Sequence, residues 1–300
     1  MRTPYLLITA AISAVLGIAS PVFAQTQPAA TAPALFATTK VEGTDNVYVF
    51  RYQGHQAMFV VTSDGVIVTD PIGLGRPQAV AAYIDEIKKV TNQPIKYVIY
   101  SHNHYDHITG GKPFKDLGAT FISHKNAKAQ LERLQPPNIV MPDEVVDDQR
   151  TITLGETALE LNYVGRNHSD NSLVMRLPKE KIIFVVDLLP VGRMPGRGMI
   201  DFYPLEAEDS IKKILAMDWE RLIPGHPDSG GRLGTKKDAE QQLAILQDAS
   251  AEMKKLGQAG KCWDEAEKEF KLPKYATLAG YEASLQFIGR RYCGLWGRGT

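Results

Sequence analysis

From residue 46 onward, short apolar or alternating runs bounded by Gly, Asp or Asn take turns with longer runs in which apolar residues recur every three or four positions. Residues 47–52, 57–62 and 65–70 have the pattern of strands. Residues 77–90 set Val80, Tyr83, Ile84 and Ile87 at helical spacing. A strand over 95–100, a strand over 120–123 and a helix over 125–134 follow. Beyond the proline-rich residues 136–142, the pattern predicts strands near 159–164, 172–177 and 182–186, a helix over 209–217 and a short strand ending at Ile223. The chain from Thr235 reads as mostly helical, with breaks at 257–260 and Pro273. No internal repeat has a fixed period. Periodicity supports an α/β or α+β chain, and two β-rich halves with helices outside predict an αββα sandwich.

The first 24 residues read differently. Arg2 precedes an apolar run from Leu6 to Ile18, and Val22-Phe-Ala24 offers the small residues of a signal-peptidase site. The run is short for a bilayer about 30 Å thick. It predicts a signal peptide over 1–24, cleaved after Ala24, and export to a periplasmic or extracellular space. Residues 25–45, rich in small residues and proline at first, read as a linker and the start of the mature chain. Residues 46–300 then form one domain, with its chemistry between 70 and 226 and a helical tail over 235–300.

Composition narrows the function. Lys plus Arg and Asp plus Glu are 34 each, and 44% of residues are apolar, so the chain is globular and lacks the basic footprint of a nucleic-acid binder. Arg2 is the sole charge in the leader, so the mature chain stays near neutral. No later segment is apolar enough to anchor it in a membrane. Two cysteines cannot build a Cys-rich zinc module. Of seven histidines, however, three fall within six residues, in Ser101-His102-Asn-His104-Tyr-Asp106-His107, at the mouth of an apolar strand. Neutral imidazoles and a carboxylate so close together suit zinc or iron. Three further elements end strands on a ligand type: Asn167-His168-Ser-Asp-Asn171, Val186-Asp187 and Pro224-Gly-His226.

With these elements the sequence resembles the metallo-β-lactamase-fold superfamily, whose signature is His-x-His-x-Asp-His followed by His, Asp and His; the resemblance covers roughly 46–227. It implies that His102, His104 and His168 hold a first metal, that Asp106, His107 and His226 hold a second, and that Asp187 bridges them. It further implies two Zn2+ per chain and a bridging hydroxide that cleaves an ester, lactone or amide carbonyl of a small-molecule substrate. Asp70 matches the family's acidic residue near an early strand end, where it orients ligand loops, or is simply a turn residue of Asp-Pro. The sequence departs from the β-lactamase pattern, which has cysteine at the position of Asp187, and matches lactonases, glyoxalase-II-like thioesterases and phosphoesterases instead. A β-lactamase of the same fold, or a mononuclear iron enzyme resembling persulfide dioxygenases, are the alternatives.

Other polar residues have two readings each. Asn171 is a candidate oxyanion donor or a turn residue, and Tyr105 a proton donor or packing under the loop. His55 sits at a hairpin tip and either finishes the turn or touches substrate; His124 either caps a helix or touches substrate. Residues 188–204, with Arg193, Met194, Arg197, Met199, Phe202 and Tyr203, are expected to rim the substrate site. Cys262 and Cys293 either form a disulfide after export or stay as two inert thiols.

Overall fold

The protein was described from a computed structural model covering residues 34–196, 199, 201–227 and 231–299. The expected signal peptide lies outside these residues, as do residues 25–33 of the linker. Two sheets form the centre. The first has seven strands in sequential order, β1 (Phe36–Lys40), β2 (Val47–Tyr52), β3 (His55–Thr62), β4 (Gly65–Thr69), β5 (Ile95–Ile99), β6 (Thr120–His124) and β7 (Glu144–Val146). The second contains β8 (Gln149–Leu154), β9 (Thr157–Tyr163), β10 (Leu173–Leu177), β11 (Ile182–Val185) and β12 (Arg221–Pro224), in the order β12-β11-β10-β9-β8.

Alternation along the strands builds the layers. In β2 and β3, Val47, Val49, Met58 and Val60 face the second sheet, where Leu173, Met175, Leu177, Ile182 and Phe184 complete the inter-sheet core. Phe50, Tyr52, Ala57 and Phe59 face outward, against α1 (Pro77–Val90) and its Tyr83, Ile84 and Ile87. The outer face of the second sheet, with Val174, Ile183 and Val185, is covered by α5 (Pro204–Ala216), α6 (Lys236–Gln258) and α8 (Tyr281–Arg298), and Trp219 is buried there. The fold is the expected αββα sandwich with a helical C-terminal segment.

Several elements differ from the sequence expectation. The expected linker ends in β1, which pairs antiparallel with β2 from Phe36↔Tyr52 to Lys40↔Tyr48. Phe36-Ala-Thr-Thr-Lys40 carries one large apolar residue, so its pairing rather than its pattern makes it a strand. The histidine loop holds two short helices, α2 (Tyr105–Ile108) and α3 (Lys112–Asp116); α4 (Lys125–Leu134) follows β6 as expected. Strands β7 and β8 were too polar to read, and α5 starts at Pro204, five residues before the expected start at Asp209. In the tail, α7 (Asp264–Glu269) sits beside α8, and Cys262 and Cys293 form a disulfide with Cα atoms 5.7 Å apart. Among the described residues no helix is long and apolar enough to cross a membrane.

Candidate metal centre

Strand pairing brings the chemistry to one edge. β4 and β5 are parallel, with Thr69 opposite Ile99, so Asp70 and the histidine loop leave together. β11 and β12 are parallel, with Val185 opposite Pro224, so two residues later Asp187 and His226 come level. β10 runs antiparallel to β11, which puts the His168 loop before β10 at the same edge. Ser101 O accepts from Leu173 N–H at 2.8 Å and ties the two sheets there. The approach of β11 and β12 is close: a Cβ on Gly225 would stand 2.5 Å from Val186 Cγ1, so only glycine fits before His226.

Asp187 occupies the middle. Its Oδ2 lies 3.5 Å from His102 Nε2, 3.2 Å from His107 Nε2 and 3.3 Å from His168 Nε2, and its Oδ1 lies 3.1 Å from His226 Nε2. The residue has φ +62°, and Leu188 N–H donates to Val186 O at 2.7 Å across it. This tight three-residue turn is a costly backbone state of the kind that concentrates at functional sites. Around the carboxylate, His104 Nδ1 is 3.0 Å from His168 Nε2, and His107 Nε2 is 3.2 Å from His226 Nε2 and 3.4 Å from Asp106 Oδ2. His55, His102, His104, His107, His168 and His226 thus gather at one place. Two groups of ligand atoms result: His102, His104, His168 and Asp187, and His55, Asp106, His107 and His226.

These residues fit divalent cations. Imidazole nitrogens face each other at hydrogen-bond distance, His102 Nε2 and His107 Nδ1 are buried with no hydrogen-bond partner, and so is Asp187 Oδ1. A cation between the converging lone pairs satisfies His102 Nε2 and Asp187 Oδ1, while His107 Nδ1 faces Asp70; N/O donor sets of this kind suit zinc or iron. Supporting contacts aim the rings. Ser101 Oγ is 2.9 Å from His102 Nδ1, His226 Nδ1 is 2.8 Å from Gly54 O, and Asp201 Oδ2 is 3.0 Å from His104 Nε2. Asp70 is fully buried; its Oδ1 accepts from Ser101 N–H at 2.8 Å, and its Oδ2 is 3.8 Å from His107 Nδ1, the orienting position expected of it.

The remaining candidates separate. The buried Asn171 side chain accepts from Asn103 N–H and donates to Asn103 Oδ1 and Asp170 Oδ1, so its hydrogen bonds hold two histidine loops together and leave none for an oxyanion. Tyr105 is 37% exposed and does not line the cavity over the histidines, so it is not placed to donate a proton there. His124 caps α4 by accepting from Asn126 N–H, with its ring stacked on Tyr163. His55 opens β3 just past the turn, and its Nε2 is 3.0 Å from Asp106 Oδ2. Gln56 explains this position, because its N–H donates to Gly225 O and its Nε2 to Pro224 O, docking the hairpin on the end of β12. Sequence reasoning missed Asp201, which belongs to no motif. A cavity of about 430 Å³ opens over the cluster; Leu189, Pro190, Arg193, Met199 and Phe202 of the expected rim line it, Met194 and Tyr203 do not, and Arg197 lies outside the described residues.

Similarity to known proteins follows the same residues. The model of the metallo-beta-lactamase superfamily matches residues 52–226. The chain belongs to this superfamily. Its members are generally metal-dependent hydrolases, and the protein is an enzyme of that kind. It is 27% identical over 197 residues to a metallo-beta-lactamase type 2 of Elizabethkingia meningoseptica, which covers 61% of this chain and 76% of that protein. To the 2,4-dinitroanisole O-demethylase subunit alpha of Nocardioides sp. (strain JS1661) it is 22% identical over 136 residues, 45% of this chain and 41% of the other. The solved metallo-beta-lactamase from Pontibacter korlensis superposes with a TM-score of 0.61 at 20% identity, over 71% of this chain and 99% of that one, a likeness of fold.

The charges of the metal-free cluster are uneven. Burial holds His168 down at about 4 and His102 well below the ordinary imidazole range, so both are neutral and ready as ligands at neutral pH. Burial also works against charge on His107, but the Asp187, Asp106 and Asp70 carboxylates outweigh it and raise this imidazole to about 9. A proton therefore sits on His107 at neutral pH and stabilises the metal-free fold fully below about pH 6.5, a contribution lost as pH rises through about 9. Loading metal at pH 7.5 must displace it. Calorimetric titration with Zn2+ in buffers of different ionisation enthalpy is expected to give release of about one proton per chain; loading without proton release contradicts this charge state.

Proposed function

We propose that the protein is an exported dinuclear zinc hydrolase that cleaves esters or lactones in preference to β-lactams. Asp187 carries this conclusion: one carboxylate reaches both groups of histidines, with His102 and His168 on one side and His107 and His226 on the other. His102 Nε2, His104 Nδ1 and His168 Nε2 then hold one ion, and Asp106, His107 and His226 the other. Bound ions supply an activated water and polarise the substrate carbonyl. The chain's own groups do the rest. Asp201 fixes the ring of His104, and His55 fixes Asp106. The apolar cavity wall of Leu189, Met199 and Phe202 holds the acyl or aromatic body of the substrate and limits water at the carbonyl.

The ester preference rests on the leaving group. A bound cation would stabilise an alkoxide leaving group, whereas an amide nitrogen more often needs a proton. Asn171 spends its donors on Asn103 and Asp170, and Tyr105 stands outside the cavity. A hard carboxylate at position 187, where the β-lactamase pattern has a soft thiolate, also favours the esterase reading. The β-lactamase names of relatives favour the other reading. Side-by-side kcat/KM values on lactones, aryl esters and β-lactams are expected to favour an ester or lactone. A β-lactam preferred over all of them by more than about tenfold, some 1.4 kcal/mol of barrier, overturns the proposal.

Export is supported by the leader sequence and by the disulfide between Cys262 and Cys293, since such bonds persist in oxidising compartments. Mass spectrometry of the exported protein is expected to find Gln25 as its first residue; an intact Met1 would refute cleavage.

A further inference from the structure

The family match ends at His226, yet the cavity over the histidines is also lined by Gln242, Gly280, Ala283 and Ser284, all from the helical tail. The tail is bound to the rim. Arg193 and Ala279 form an isolated β-bridge, Met194 N–H donates to Ala279 O at 2.9 Å, and Ser284 Oγ donates to Pro195 O at 2.5 Å. Arg291 of α8 donates to Phe202 O. These contacts hold Arg193 in the cavity wall, where its Nη2 lies 3.8 Å from the place a Cβ on Gly280 would take.

Two polar groups in this wall lack partners among the described residues. Arg193 Nε is buried and donates to no neighbour among the described residues, and Gln242, 2% exposed, has its Oε1 buried and unpaired. A guanidinium does not lose its charge, and burying a polar group without a partner costs stability. Among the described lining residues the acids are Asp106 and Asp187, both already within the histidine cluster. The first turn of α8, an 18-residue helix, brings Ala283 and Ser284 to the same wall and adds the positive end of its dipole. What is missing there is an anion.

We propose that Arg193, with Gln242 and the start of α8, is a subsite for a carboxylate carried by the substrate. A guanidinium matches a carboxylate with two parallel hydrogen bonds, and a single cation leaves the second charge of a phosphate unmet. The substrate is then amphipathic: a scissile carbonyl at the histidines, an apolar body along Leu189, Met199 and Phe202, and a carboxylate at Arg193. The subsite rests on the hydrolase reading for the reaction it serves and on the cavity alone for binding. Gln242 contributes its amide, which turns to donate or accept as the bound group requires.

Binding separates the two. Hydroxamates that chelate the metal-loaded protein at one end, and carry either a carboxylate or the isosteric carboxamide at the other, are compared over a short series of chain lengths. At the best length the acid is expected to bind the wild-type protein at least about tenfold tighter than the amide. Arg193→Met is expected to bring that ratio to about one, chiefly by weakening binding of the acid. Equal affinities in the wild-type protein at every length, or a preference for the acid that survives Arg193→Met, overturn the subsite. The wild-type ratio is a test by itself if the variant does not fold. A preference for the acid with no turnover of any ester or lactone leaves the subsite standing and removes the hydrolase reading; turnover without the preference does the reverse.

Discussion

A carboxylate set among four imidazole nitrogens at 3.1–3.5 Å, on a residue with φ +62°, is the constraint on which the rest of the active edge depends. An anion largely shielded from water must be paired, and a left-handed backbone at a non-glycine residue must be held in place by its surroundings. Both conditions are met because β11 and β12 run parallel and in register, so Asp187 and His226 emerge side by side. Gly225 lets the second strand approach Val186 closely enough. On the other sheet, Asp70 holds Ser101 N–H and so aims the loop that carries His102, His104 and His107. The carboxylate is thus where the two sheets' contributions meet.

Converging lone pairs are unfavourable until something positive lies between them. The cluster meets this need in part by itself: the proton on His107 answers the negative charge of Asp187, Asp106 and Asp70, while burial keeps His102 and His168 neutral. That balance leaves His102 and His168 free to take a cation. Asn171 and Gln56 are tied into the structure, and the loops they hold fix the spacing of the rings.

Much of this was legible because it is local. Helices Pro77–Val90 and Lys125–Leu134 follow from apolar spacing, and the histidine motif stands at the end of an apolar strand, where a ligand loop belongs. What escaped depends on distant partners. β1 exists through its pairing with β2, not through the polar Thr38-Thr39-Lys40. His55 joins the cluster because Gln56 docks on Pro224 and Gly225, more than 160 residues away. Asp201 carries no motif, and the carboxylate-deficient wall of Arg193 and Gln242 arises only when the tail packs on the rim. The tail could be read as an apolar helical face, but not as a wall of the substrate site.

The superfamily relationship accounts for the sandwich and the histidines, and the tail gives this chain a cavity of its own. The proposed chemistry depends on whether Asp187 joins two ions into one centre. Electron paramagnetic resonance of the protein loaded with Co2+ tests this most directly. The account predicts a spin-coupled pair in the wild-type protein that becomes uncoupled, or is reduced to a single ion, in Asp187→Ala. Two uncoupled ions in the wild-type protein, or coupling that persists in Asp187→Ala, would contradict it.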